Sequence, residues 1–156
     1  MKPNHVFGVF LLTFSCNISV AGEPDALCSE IIKFANNVKE SGSLSVELVT
    51  EWGENISKGC LHNKNKAEIN FCNYLQNHTS TEFQEINISR ALVCIGASPL
   101  YSNKSSYKVE HGTGKYSTGE MQGVAEGIEV GIIYSFGIKN ELPRLKFSVA
   151  NTKSNK

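Results

Sequence analysis

The sequence predicts an α+β fold, in which a disulfide-tied helical part of about four helices precedes a small antiparallel β-sheet. Residues 25–96 place apolar side chains at helical spacing, whereas residues 127–149 alternate apolar and polar side chains. Four cysteines follow an N-terminal segment that has the pattern of an export signal. In an oxidising compartment these cysteines would form two disulfides.

The first 21 residues are predicted to be a signal peptide. Lys2 precedes an apolar run over residues 6–14, and small residues end the segment at Ala21. The run is too short to anchor the chain across a bilayer. We expect cleavage near Ala21, export to the periplasm or the medium, and a single globular domain over residues 22–156. The alternative is a lipid on Cys16, but the two residues before it do not fit a lipoprotein signal.

The helical part, residues 22–97, is predicted to contain four helices. They span about residues 25–39, 44–58, 64–77 and 79–95. The second helix is predicted from apolar residues that recur every four positions, at Leu44, Leu48, Trp52 and Ile56.

The helix ends also have signals of their own. Asp25 can cap the first helix. Thr79 and Glu82 have the form of a capping box at the start of the fourth, and Gly96 is a natural stop.

The predicted antiparallel hairpin of the last two helices constrains the disulfides. At about 1.5 Å per residue, Cys72 would lie about 10 Å before the turn and Cys94 more than 20 Å beyond it. The Cα atoms of a disulfide lie within about 7 Å, so Cys72 and Cys94 should not pair. Cys60 comes level with Cys94, and we therefore expect the pairs Cys60–Cys94 and Cys28–Cys72.

The β part is predicted over residues 98–152. Residues 111–114 look like a turn, and the strict alternation over residues 127–138 predicts a strand with one buried face. Residues 140–143 make a turn before a second alternating strand around Phe147. A glycine every four residues from Gly119 to Gly131 would also suit a close-packed helix. However, four interior glycines would cost a helix about 3 to 4 kcal/mol, which favours the strand; residues 117–126 stay open.

The balanced charge of the chain argues against a general attraction to nucleic acid and excludes few other functions. The chain has 15 Lys plus Arg and 15 Asp plus Glu, so it lacks the basic excess of nucleic-acid-binding proteins. Loss of Lys2 with the signal leaves this balance almost unchanged. No cofactor motif is present. Gly112 and Gly114 invite comparison with a phosphate-binding loop, but they do not follow a strand and open a helix with the required Lys or acidic partner, as that motif does.

Two sets of residues could in principle support chemistry. Cys60, His62, Cys72 and His78 are all zinc-ligand types, but their spacing matches no known finger, and disulfide formation competes for the thiols. Glu47, Glu51 and Glu54 share one side of the predicted second helix and could act as a carboxylate pair, although a solvated helix face has the same pattern. We expect no metal and no catalytic residues.

The best candidate for a contact surface lies where the helical part gives way to the β part. Tyrosine and lysine side chains cluster there, at Tyr101, Lys104, Tyr107, Lys108, Lys115 and Tyr116. Tyrosine is favoured at protein interfaces. Within the predicted mature chain, sequons for N-glycosylation occur at Asn55, Asn77, Asn87 and Asn103, a number that chance alone would nearly supply.

These observations predict an exported, disulfide-containing binding protein that has no catalytic activity. In overall type it is similar to the small periplasmic immunity or inhibitor proteins of bacteria, which neutralise another exported protein, although no motif carries this similarity. Two alternatives remain. The protein could be a small hydrolase of envelope polysaccharide that uses Glu47 and Glu51, or a structural envelope component that pairs through a strand edge.

Overall fold

The computed structural model describes residues 25–39, 42–96 and 111–153. The predicted signal peptide, Cys16, and the first four residues of the predicted contact surface lie outside these ranges. The elements, in chain order, are α1 (Ala26–Ala35), β1 (Ser43–Trp52), β2 (Ile56–His62), α2 (Lys66–His78), α3 (Gln84–Cys94), β3 (Gly112–Thr118), β4 (Ile128–Phe136) and β5 (Arg144–Asn151).

The described strands form one antiparallel sheet in the order β2-β1-β5-β4-β3. One face of the sheet is covered by the helices: α2 packs on β1 and β2, α3 packs on β4 and β5, and α1 contacts both helices. The core lies between these two layers. Three neighbouring strands, β1, β5 and β4, each contribute a completely buried side chain to it, at Leu48, Phe147 and Ile132. The α+β class is therefore correct.

The predicted number and order of elements is wrong, because the described residues form three helices and five strands. The segment predicted as the second helix is the β1–β2 hairpin. Leu44 and Leu48 lie in the core, but Trp52 and Ile56 pair with each other at the exposed end of the hairpin. Residues four apart share a face in a strand as well as in a helix, so their spacing did not distinguish the two.

The remaining helices lie close to where they were expected, and one of their predicted caps is wrong. Asp25 caps α1 by accepting from the Leu27 N–H at 2.9 Å. Asn65 caps α2 in the same way. The predicted capping box at Thr79 is wrong, because Thr79 ends α2 and its hydroxyl donates to the Leu75 carbonyl oxygen. Gly96 follows α3 with a φ of +66°, the left-handed conformation that ends many helices.

The predicted disulfide pairing is also wrong. The four cysteines that the structure describes are all paired, but as Cys28–Cys94 and Cys60–Cys72. Cys60 lies on β2 and α2 packs directly against that strand, which brings Cys72 to its partner over a separation of only 12 residues. Cys28 then pairs with Cys94, because the first turn of α1 lies beside the last turn of α3. As expected, Cys72 and Cys94 do not pair.

The C-terminal hairpin confirms the prediction from alternation. β4 pairs with β5 across a turn in which Asn140 has a φ of +64°. On β4 the even-numbered residues Ile128, Val130 and Ile132 are buried. The turn predicted at residues 111–114 is wrong, because β3 begins at Gly112 and pairs with β4 from Phe136 onward.

A buried carboxylate connects α2 to the start of the sheet. Glu68 is 1% exposed and accepts from the Ser45 N–H at 2.9 Å and from the Asn63 N–H at 2.8 Å. Both N–H groups lie where the pairing of β1 with β2 stops, so no strand partner is available to them. Each carboxylate oxygen therefore supplies the acceptor that a buried backbone donor requires.

Candidate binding site on the open face of the sheet

The face of the sheet that the helices do not cover is here called the open face. The strand registers place its side chains in rows that run across the strands. The charged row consists of Leu61, Glu47, Lys146, Ile133 and Lys115, and the hydroxyl row consists of Ser45, Ser148, Gly131 and Ser117. The two rows are adjacent, so a band of small residues lies beside a band of long side chains.

A groove of about 360 Å³ follows the hydroxyl row. Lys115, Lys146 and Ile133 form one wall, and Glu129 and Ala150 lie on the other side. A second depression of about 210 Å³ continues toward Leu61 and shares Lys146 with the groove. Neighbouring strands are about 4.8 Å apart, so the four-strand row offers hydrogen-bonding groups over about 14 Å.

The depth of the groove depends on Gly131. A Cβ atom at this position would lie 2.7 Å from the Ser148 hydroxyl oxygen, closer than such atoms approach without displacement. Because Gly131 has no side chain, the floor of the groove is lowered in the middle of the hydroxyl row.

The lysines of the charged row are not neutralised by neighbouring carboxylates. Glu47 lies opposite Lys146 in the register but accepts from Arg144 Nη1 at 2.9 Å. Among the described residues, neither Lys115 nor Lys146 forms an ion pair. The groove therefore has a positively charged wall, and the negatively charged Glu129 lies on its opposite side.

The structure separates the two predicted contact residues that it describes. Lys115 projects from the open face, whereas the Tyr116 ring lies on the helix side, packs against the core, and donates its hydroxyl to the Gly96 carbonyl oxygen at 3.4 Å. The predicted residues Tyr101, Lys104, Tyr107 and Lys108 lie outside the described residues.

Sequence reasoning missed most of the groove. The alternation of β5 already placed Lys146 and Ser148 on the solvent side of the sheet. Only the register shows that they lie next to Gly131 on one side and to Ser45 on the other.

The geometry does not support a carboxylate pair at Glu47 and Glu51. Both residues lie on β1, four residues apart along a strand, which separates their Cα atoms by about 13 Å. Glycosidases place their two carboxyl groups about 5 to 9.5 Å apart. In addition, Glu47 is bound to Arg144.

The Cys/His set does not offer free thiols, because Cys60 and Cys72 are bonded to each other. His62 Nδ1 accepts from the Lys64 N–H, and the His78 ring stacks on Tyr74 at 4.6 Å. Within residues 25–39, 42–96 and 111–153, no cluster of three metal-ligand side chains occurs.

The described sequons differ in accessibility. Asn55 and Asn77 are exposed, but Asn87 is fully buried and its side chain bonds to Ser80 and Gln84. A glycan on Asn87 would therefore require the start of α3 to open. Asn103 lies outside the described residues.

One end of the sheet exposes large apolar side chains. Trp52 is 56% exposed and lies opposite Ile56. Lys58, two residues after Ile56 on β2, donates to the Thr79 carbonyl oxygen and so joins this end of the hairpin to the end of α2. This surface is here called the apolar end.

These features define a disulfide-bonded α+β protein with one helix-covered and one open sheet face. No family model, no curated protein and no solved structure matches the chain.

Proposed function

We propose that this is an exported, non-catalytic binding protein that holds another exported protein on the open face of its sheet, as an inhibitor or an immunity-type protein would. The observation that supports this proposal is the groove along the hydroxyl row, on whose wall Lys115 and Lys146 form no ion pair with the described residues. A surface of this kind can recognise a partner without performing chemistry on it.

Export is compatible with the covalent structure. The two disulfides suit an oxidising compartment. In the part of the chain that the structure describes, no helix has the length and hydrophobicity needed to cross a bilayer.

The chemistry of the open face defines the kind of partner surface. Leu61 is 58% exposed and Ile133 is 39% exposed, and they alternate with charged residues along one row. Protein interfaces combine such apolar contacts with polar groups at their margin. Acidic side chains of a partner would meet Lys115 and Lys146, and the serine hydroxyls can donate to or accept from its polar groups.

The decisive experiment is capture of a partner from an exported-protein extract, followed by reconstitution with that partner in purified form. Native mass spectrometry should give a defined stoichiometry. The double variant Lys115→Glu/Lys146→Glu should weaken the reconstituted complex by at least about tenfold, because acidic groups would then meet like charge.

The matched control is Lys139→Glu/Lys153→Glu, which makes the same change of charge at exposed positions away from the groove. It should retain the affinity of the unmodified protein. Equal affinity of both double variants would reject the open face as the contact surface. If Trp52→Ala alone removed binding, the contact would lie at the apolar end instead.

A further inference from the structure

We infer that a cleft between α1 and α2 binds an acidic saccharide. The cleft encloses about 700 Å³, within the range of about 300 to 1,000 Å³ that is usual for ligand sites. It lies in the helical layer, on the opposite side of the sheet from the open face. The inference therefore goes beyond the proposed protein-binding role and does not depend on it.

The base of the cleft is formed by core packing between the two helices. Phe34 of α1 stacks on Phe71 of α2 with ring centroids 4.6 Å apart, and both side chains are 3% exposed. Because these rings set the spacing of α1 and α2, the cleft is a consequence of the fold and not only of how surface side chains are arranged.

The charge of the cleft favours an anion. Among the described residues that line it, the carboxylate of Glu30 is neutralised by Lys33 at 2.7 Å. Lys39 and Lys66 also line the cleft and form no ion pair with the described residues. These two ammonium groups, which no described carboxylate pairs with, can make charge-assisted hydrogen bonds to a carboxylate or sulfate.

Three asparagines supply the neutral hydrogen-bonding groups. Asn37 donates through Nδ2 to the Lys33 carbonyl oxygen, which leaves its Oδ1 as an acceptor. Asn65 accepts at Oδ1 from the Ala67 N–H, which leaves its Nδ2 as a donor. Asn70 adds a third amide. A hydroxyl group both donates and accepts, so this mixture suits a ligand that carries many hydroxyls.

The combination of these groups narrows the ligand class. An apolar ligand would bury the amides and ammonium groups without hydrogen-bond partners, which is costly. A small inorganic anion would satisfy the lysines but leave the amides unused and most of the volume empty. A saccharide that carries carboxylate or sulfate groups uses both sets.

The test is a titration of ¹⁵N-labelled protein, with both disulfides formed, followed by NMR. The ligands are a hexuronate oligosaccharide, a sulfated oligosaccharide, a neutral hexose oligosaccharide of the same length, and inorganic phosphate. At least one acidic saccharide should shift the side-chain amide signals of Asn37, Asn65 and Asn70, and it should bind at least about tenfold more tightly than the neutral one. The two acidic ligands distinguish carboxylate from sulfate recognition.

The variant Lys39→Gln/Lys66→Gln should lower the affinity for the acidic saccharide by about tenfold or more. Lys139→Gln/Lys153→Gln, outside the cleft, should leave the affinity unchanged. Three results would each overturn the inference: no binding by either acidic saccharide, equal binding of the neutral one, or phosphate binding as tightly as the saccharide. NMR signal shifts confined to residues of the open face would also overturn it. This mapping uses the unmodified protein, so it does not depend on whether a variant folds.

Discussion

Arg90 on α3 holds the carboxylate of Asp25 with two parallel hydrogen bonds, from Nε to Oδ2 at 2.6 Å and from Nη2 to Oδ1 at 2.7 Å. Asp25 is also the N-cap of α1, and Cys28 one turn later is bonded to Cys94. The start of α1 is therefore attached to α3 by an ion pair and a disulfide within one turn of each other.

This ion pair predicts an acid-dependent loss of stability. The hydrogen bond from Arg90 lowers the pKa of Asp25 below its usual value of 3.8, against the opposing effect of burial. Since the folded pKa is lowered, the stabilisation is fully present above the unfolded pKa and disappears as the pH falls through the folded value. Asp25→Asn keeps a good cap and should lower the free energy of unfolding at pH 7 by about 1 kcal/mol, because both side chains are about 30% exposed.

Denaturant unfolding of both proteins between pH 7 and pH 2 checks this prediction. The difference between them should shrink below about pH 4. A difference that stays constant down to pH 2 would contradict the assignment. Glu85→Gln, which removes a carboxylate outside this pair, controls for the general effect of lost charge.

The two disulfides should differ in their contribution to stability. Cys28–Cys94 closes a loop of 66 residues and Cys60–Cys72 a loop of 12. The chain-entropy relation gives about 4 kcal/mol for the first and about 3 kcal/mol for the second. Replacing each pair with alanines and measuring unfolding by denaturant should therefore show the larger loss for Cys28 and Cys94. Equal losses, or a larger loss for Cys60 and Cys72, would mean that packing in the folded state outweighs the effect of the disulfides on the unfolded chain.

Replacing the Glu68 carboxylate should destabilise the folded protein. In Glu68→Gln one oxygen becomes an amide NH₂ that faces the N–H of Ser45 or Asn63, so one buried donor loses its acceptor. The expected loss is about 2 kcal/mol in the free energy of unfolding. Glu82→Gln, at an exposed position, is the control and should change it by less than about 0.5 kcal/mol. Identical stabilities of the two variants would show that the Glu68 carboxylate is not needed.

Filling the groove should impair partner binding while the fold is retained. In Gly131→Ala the new methyl group raises the floor and displaces the Ser148 hydroxyl. The affinity for a reconstituted partner should fall by about tenfold, with a change in unfolding free energy near 1 kcal/mol. Gly59→Ala is the matched control, because an added Cβ on β2 meets nothing within 4 Å. Unchanged partner affinity in Gly131→Ala would exclude the groove as the surface that contacts the partner.

The error over β1 and β2 has a specific physical cause. Leu44, Leu48 and Trp52 are four residues apart, a spacing that fits both the 3.6-residue period of a helix and the two-residue period of a strand. Val46 and Thr50 decide between them, because they lie midway between these positions and are also buried. Their pattern has a period of two, and it predicts a strand.

Lys115 is the one described residue of the groove wall that the sequence analysis predicted as a contact residue. Tyr116 follows it in sequence but points to the other face, as neighbouring strand residues must. The remaining groups of the groove come from strands far apart in the chain, so no local motif could indicate them.

Elements that have local signals could be predicted from the sequence. Apolar residues at helical spacing, with the Asp25 cap and the Gly96 stop, predicted the three helices, and alternation predicted the β4–β5 hairpin. These signals act between residues a few positions apart. The position of β5 between β1 and β4, the disulfide partners, and the sheet face that the described helices leave uncovered could not be predicted in this way. These depend on the burial of a shared apolar surface by Leu48, Phe147 and Ile132, residues that are distant in sequence and that only the packed sheet brings together.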